Sequence, residues 1–318
     1  MIILREGYRF KIQTNRYPLY QPYNLQNSKS YMKAKIFVIV ILKAAICIAS
    51  PPDNLYVKDR EDAILEVIYN RKAITDTTRR EESFTIDDVM LRIGKTKSLF
   101  CGVKKLWADS ISTVDFVSYS YMLRATYEKD KDKDNFFFLG GRYWSYIYKD
   151  LLNKEVTECD YFDMTHWRYK EEMKIPSWNI LDSITNIAGY ECLMATAYFK
   201  GRRWVAWFSP EIPISDGPWK LCGLPGLILS AYDDARDYEF TVKSIRTSGL
   251  GLVGFMYYKP EEDYVTVTRE KFFKSWQKYK HGRASDRIKA AYGITTPALS
   301  SPKKTVDYDR EETDYEHN

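Results

Sequence analysis

Four kinds of residue in this 318-residue chain could do chemistry, and their spacing decides how far each can go. The five cysteines, at 47, 101, 159, 192 and 222, include no Cys-x-x-Cys pair, and the three histidines, at 166, 281 and 317, are scattered. Neither a metal-ligand set nor a dithiol redox site assembles from such positions, so no metal and no cofactor are expected. Glu171, Asp182, Glu191, Glu211 and Asp233 flank the central apolar runs. Two of them could act as acid and base only if the fold makes them converge. Arg202 and Arg203 could hold an anion, but pairing with Glu191 or Glu211 is the more ordinary use of two such arginines. Nothing is spaced like a nucleophile elbow, a phosphate loop or a zinc helix. The residues therefore favour a noncatalytic protein, with a hydrolase of unspecified type as the third reading.

Those residues are organised around Gly217-Pro-Trp-Lys-Leu-Cys-Gly-Leu-Pro-Gly-Leu-Ile-Leu229. Its two X-Pro steps hold their neighbours extended, while Gly223 and Gly226 allow turns and close approaches that larger residues resist. The turn is expected to deliver the chain into a strand starting near Leu227. Upstream, Ala63 to Tyr69, Leu91 to Gly94 and Ser98 to Phe100 read as strands. Tyr143 to Lys149 and Val156 to Phe162 read as a hairpin turning at Asn153-Lys154, with Thr165 to Glu172 next. Trp178 to Ile180, Ile187 to Phe199, Gly201 to Phe208 and Tyr238 to Lys243 continue the alternation, and Arg269 to Tyr292 has helical spacing interrupted at Gly282. Trp204 lies on one face of its strand with Ala206 and Phe208, and Trp207 lies on the other, so both faces are partly apolar.

With 26 Tyr and 15% aromatic residues, the composition suits strands. The expected fold is mainly β: a curved antiparallel meander sheet, half-barrel or sandwich-like, with a few helices, a C-terminal helix and a disordered tail. Forty-eight basic against 43 acidic residues leave a net charge of only +5, which gives no support to nucleic-acid binding. Met32-Lys-Ala-Lys35 followed by Ile36 to Leu42 and Ala44 to Ala49 has the layout of a secretory signal, too short and too interrupted by Lys43 to span a bilayer comfortably. The expected organisation is residues 1–31 upstream of a true start at Met32, a signal at 32–50, one β-rich domain at 51–292 and a disordered acidic tail at 293–318.

Gly223 to Ile228, preceded by Ala206-Trp-Phe, Ile212-Pro213 and Gly217-Pro218-Trp219, resembles the GLPGLI family of exported Bacteroidetes proteins. Gly189-Tyr-Glu-Cys192, Phe199-Lys-Gly-Arg202, Tyr169-x-Glu171 and Leu91-Arg-Ile-Gly94 extend the resemblance over most of Tyr56 to Ile245. It implies export to the periplasm or cell envelope, a helical or loop insertion near Asp109 to Tyr127, and no established activity. Cys192 and Cys222 sit on neighbouring matching segments and are the first candidates for a disulfide in an oxidising compartment. Trp204, Trp207, Trp219, Leu224, Pro225 and Leu227 are the candidate binding residues. In the first reading they line an apolar groove of a carrier for an apolar or amphipathic small ligand, as in periplasmic lipoprotein carriers. In the alternative, the Gly217 to Leu229 loop docks an accessory protein onto an outer-membrane assembly.

Overall fold

The computed structural model describes residues 56–130, 138–163, 165–257, 263–282 and 310–315. The expected upstream stretch and signal, with Cys47, lie outside the described residues, as do 293–309 and 316–318 of the expected tail. Fourteen strands dominate the described chain: β1 (Tyr56–Asp62), β2 (Leu65–Ile74), β3 (Phe84–Ile93), β4 (Lys97–Gly102), β5 (Tyr146–Asp150), β6 (Glu155–Phe162), β7 (Thr165–Glu172), β8 (Asn179–Ile187), β9 (Tyr190–Phe199), β10 (Arg202–Ser209), β11 (Leu227–Asp233), β12 (Tyr238–Arg246), β13 (Leu252–Tyr257) and β14 (Tyr264–Thr266). Helices α1 (Val103–Val114) and α2 (Phe116–Asp130) occupy the expected insertion, and α3 (Arg269–His281) follows β14.

Twelve strands form one sheet in the order β14-β7-β6-β5-β4-β3-β2-β12-β11-β10-β9-β8, and β1 pairs with β13 in a separate ribbon. The large sheet is two meanders, β2 to β7 and β8 to β12, joined where β2 pairs with β12. It is antiparallel except where β14 runs parallel to β7, and it is not closed into a barrel. Strand alternation sets its faces: Val67, Tyr69, Val89, Leu91, Phe100, Ile147 and Val156 of the first meander share one buried core with Ala195, Trp204, Ala206, Phe208, Leu229 and Phe240 of the second. From β6 to β9 the sheet order counts eight steps, about 38 Å if the sheet were flat at ~4.8 Å per strand. A shared core at that separation requires the sheet to curl until the two meanders face each other.

The outer face of the first meander carries a second cluster, in which Met90, Leu99, Cys101, Tyr146, Tyr148 and Cys159 pack with Val253 of β13 and with Val103 and Leu106 of α1. A third joins Phe162 and Tyr169 to Phe272 and Phe273 of α3. Helix α3 starts at Thr268, whose hydroxyl accepts from the Lys271 N–H, and ends at His281, beside the Gly282 at which an interruption is expected; the rest of the expected helical spacing, to Tyr292, lies outside the described residues.

Two expectations need correction. Cys192 and Cys222 are not joined: both are buried free thiols, as are Cys101 and Cys159. Closeness along the sequence did not bring the sulfurs together, because Cys192 faces the core from β9 while Cys222 lies in the loop, its carbonyl accepting from the Trp178 indole N–H at 2.7 Å. Burial pushes the Cys101 thiol up to about 12 and that of Cys192 up to about 11. Only about one thiol in 10⁴ or fewer is then thiolate at pH 7. A thiol reagent at pH 7 should leave these four cysteines unmodified until denaturant is added, read as mass increments; rapid native labelling of Cys101 or Cys192 would contradict the buried-thiol arrangement. The second correction concerns the tail. Residues 310–315 are seated, with Arg310, Glu311 and Glu312 buried, because Glu158 and Asp160 of β6 take Arg310, Arg71 of β2 takes Glu311 and Lys220 takes Glu312.

Candidate functional site

The chain between β10 and β11 does not project from the sheet. It folds back into the concavity, where Trp219, Leu221, Leu224 and Leu227 complete the shared core. Three observations fix it there. Lys149 reaches in from β5 and its ammonium donates to Asp216 at 2.5 Å, to the Gly217 carbonyl at 3.0 Å and to the Leu221 carbonyl at 3.4 Å, with both charged side chains buried. Tyr69 of β2 donates to the Ile228 carbonyl at 2.7 Å. Gly226 packs against the Ser209 carbonyl so closely that a Cβ would overlap it.

Of the six candidate binding residues, four are therefore core. Trp204, Trp219, Leu224 and Leu227 are each at most 2% exposed, and the rings of Trp204 and Trp219 lie 5.5 Å apart. Trp207 is half-buried and directly opposite Met194 on β9, and Pro225 is exposed at the loop tip beside exposed Gly223. Of the carboxylates, Glu171 joins a buried charge cluster, and Asp233 receives Arg202 at 2.7 Å. Asp182, Glu191 and Glu211 are exposed. The two arginines thus pair with aspartates rather than with the expected glutamates, Arg202 with Asp233 and Asp237 and Arg203 with Asp234. His166 lies between Tyr161 and Tyr264, tilted against both rings, and lines a cleft of about 50 Å³.

The strongest polar constellation lies where the two meanders meet. Lys220, from the loop, donates to Glu171 of β7 at 2.9 Å, to Glu312 at 2.7 Å and to the Tyr169 hydroxyl at 2.6 Å, and its ammonium forms an ion pair with Glu158 of β6 at 2.8 Å. Lys200, just past β9, pairs with Glu171 and lies 3.7 Å from Glu312. Arg269 of α3 pairs with Glu312 at 2.5 Å and with Asp314. Arg310 pairs with Glu158 at 2.8 Å and with Asp160, and Arg71 of β2 receives Glu311 at 2.7 Å. Side chains thus bridge the ends of the curled sheet where no backbone ladder does.

This cluster holds charge instead of moving protons. Burial alone would raise the Glu312 carboxyl, but Lys220, Arg269 and Lys200 outweigh it and hold it at about 2. Burial alone would lower the Lys220 ammonium, but Glu158, Glu312 and Glu171 raise it above the ordinary lysine range. An ammonium so held is neither a nucleophile nor a base at neutral pH. Because the folded value of Glu312 is depressed from 4.5, its contribution to stability is complete above about pH 4.5 and is lost as pH falls toward 2. Urea midpoints should fall over that window, and Glu312→Gln should flatten the fall; a Gln variant with the parent's acid slope would show that Glu312 does not drive it.

The expected site missed Arg71, Lys149, Glu158, Lys220 and the 310–315 segment. A signal for three of them existed. Arg71 continues the inward series Val67, Tyr69; Lys149 follows Ile147; and Glu158 follows Val156. A charge in phase with buried apolar residues must find a partner.

Comparison with known proteins adds little to this geometry. A family model described as "Protein of unknown function (Porph_ging)" matches residues 199–230, from the end of β9 through the loop into β11. No curated protein matches. Two solved structures of PNGF-II, in different space groups, are 12% and 11% identical to this chain with TM-scores of 0.44 and 0.43. They cover 69% and 68% of it, while the chain spans about a third of their length, 34% and 33%. Likeness at that level carries no assignment.

Proposed function

We propose that this is an exported, noncatalytic binding protein of the GLPGLI type that docks a partner polypeptide of the cell envelope, and that the outer edge of β8 is its docking surface. The observation that carries the reading is this edge. Among the described residues β8 pairs on one side only, with β9. Its nine residues include one charge, Asp182, and its Ile180 and Ile184 are 47% and 59% exposed. Natural edges are commonly blunted by lysine, proline or cover, and one left apolar is a template for strand addition. The register puts Ile180 opposite Ala195 and Ile184 opposite Leu193, so both isoleucines lie on the face against which the loop packs. Ile175, also exposed and four residues before β8, abuts Gly223, so the chain leading into this edge packs on the loop tip.

Export rests on the Met32 to Ala49 pattern. The carrier reading ranks lower, because four residues expected to line a groove fill the core and the cleft beside His166 measures about 50 Å³. Small-molecule sites generally need about 300 Å³ or more.

The test is a photo-crosslinking residue at position 184 in the native bacterium, compared with one at exposed Ile86 on β3. A discrete adduct from position 184, absent from position 86 and abolished by Ile180→Lys, is the expected result. Equal labelling from both positions overturns edge docking. A reproducible extra mass in native mass spectrometry, lost on denaturation, would favour a small ligand instead.

A further inference from the structure

We propose that the seam between the two meanders is a peptide-binding site for an extended segment bearing an arginine, two consecutive carboxylates and a following aromatic, that Arg310–Tyr315 occupies it in the isolated chain, and that the same segment of a second copy can replace it. The receptor is built from six elements: β6, α3, β10, β2, the loop bearing Lys220 and the turn between β9 and β10. Arg310 is taken by Glu158 and Asp160 of β6 and lies over the rings of Phe272, Phe273 and Trp276 of α3. Its carbonyl accepts from Arg202 of β10 at 3.2 Å. Glu311 goes to Arg71 of β2, and Glu312 goes to Lys220 and Arg269. Thr313 donates its N–H to the Lys200 carbonyl at 2.9 Å, and Tyr315 stacks on Phe273 with centroids 4.4 Å apart. At Gly201, φ is +82°, and a Cβ would overlap the Thr313 hydroxyl and crowd the Asp314 N–H, so this turn is shaped for a chain passing over it.

Two features make the segment a ligand more than a piece of the core. It adds no strand to the sheet, being held mainly through side chains. Its receptor is also largely satisfied without it: Lys220 keeps Glu158 and Glu171, Lys200 and Arg269 keep Glu171, and Arg202 keeps Asp233 and Asp237. A preformed, self-paired site can empty without leaving most of its charges bare, which is what exchange demands. Residues 283–309 connect α3 to the segment, and 27 residues reach up to about 90 Å when extended, enough to serve the same molecule or a neighbour. The pieces Tyr169-x-Glu171, Phe199-Lys-Gly-Arg202 and Lys220 of the central loop all converge on this seam.

The experiment uses the full chain with a specific protease sequence placed within 283–309 and cut after folding. A dye-labelled synthetic peptide of residues 308–318 should then exchange saturably into the cut protein. Reversing Glu311 and Glu312 to lysine in the peptide should weaken it at least about 100-fold. The uncut chain should take up labelled peptide at least about 100-fold less well, because a tethered competitor acts at an effective concentration near millimolar. Any of three results overturns the proposal: no uptake by the cut chain, equal uptake of the charge-reversed peptide, or loss of the near-ultraviolet dichroism of the fold on cutting. The last would mean that the segment is integral core. Crosslinking at Ile184 is independent of all three outcomes.

Discussion

Lys220→Met should lose about 3–5 kcal/mol of stability at pH 7, the penalty for breaking a buried ion pair from one side. The Lys220 ammonium is the point at which Glu158, Glu171 and Glu312 converge, and methionine fills its volume while supplying no charge. Arg310 would still serve Glu158, and Lys200 and Arg269 would still serve Glu171 and Glu312, which keeps the loss within that range. The pH dependence separates a charge effect from a packing effect. In the parent, Glu158 and Glu312 are held below the ordinary carboxyl value, burial being outweighed by Lys220 with Arg310 for the first and by Lys220 with Arg269 for the second. Without the lysine their folded values rise, so the variant recovers stability by binding protons as pH falls, and its deficit at pH 4 should be smaller than at pH 7. Lys220→Arg should not restore the parent. A planar guanidinium cannot point donors at three carboxylates and a phenol arranged around a single nitrogen. Urea midpoints at both pH values decide it, and a pH-independent deficit would make Lys220 a packing residue only.

The sheet was legible wherever residue character alternates along a strand. The hairpin β5–β6 and strands β7, β9 and β10 follow the alternation of Tyr143 to Phe208, because each side chain's direction is dictated locally by the pleat. Of β8 only the ends are legible, Trp178 to Ile180 and Ile187, since the irregular register between Leu181 and Ile184 breaks its period. The pairing of β1 with β13 joins residues roughly two hundred positions apart, and no local pattern encodes it. The site was less legible for a related reason. Trp204, Trp219, Leu224 and Leu227 are apolar and adjacent to a Pro/Gly turn whether they line a groove or fill it, and only the curl of the sheet decides between the two. The acidic stretch after Thr305 has the composition of a solvated tail, yet Glu311 and Glu312 find Arg71 and Lys220 at separations of 240 and 92 residues. Composition reports the mean character of a segment and is silent about a partner elsewhere in the chain. What remained readable was the in-phase charge: Arg71, Lys149 and Glu158 each sit where an apolar residue is due.

Trp219→Ala and Pro225→Ala should behave oppositely, and together they divide the loop into a buried plug and an exposed rim. Trp219 is 2% exposed, tilted against Trp204 at 5.5 Å and edge-on to Phe199 at 5.9 Å. Truncation to alanine removes a large ring from a core with no solvent to refill it, and a loss of about 3–5 kcal/mol is expected. Pro225 is exposed, so its replacement should shift stability by no more than about 1 kcal/mol, chiefly through the freer unfolded chain. A second comparison isolates the backbone. Trp219 has φ of +54°, the left-handed region that costs a residue with a Cβ about 1 kcal/mol or more. Trp219→Gly should therefore be as stable as Trp219→Ala or up to about 1 kcal/mol more stable, although glycine at an ordinary position is the worse choice. Equilibrium unfolding of the three variants tests both statements. Should Trp219→Ala fold with parental stability, the tryptophan is not a plug, and the apolar-groove reading regains the residue it lost. Should it unfold easily while Pro225→Ala keeps its stability and loses the adduct at position 184, the loop's contribution to docking lies in its rim, with the buried tryptophan serving to hold that rim in place.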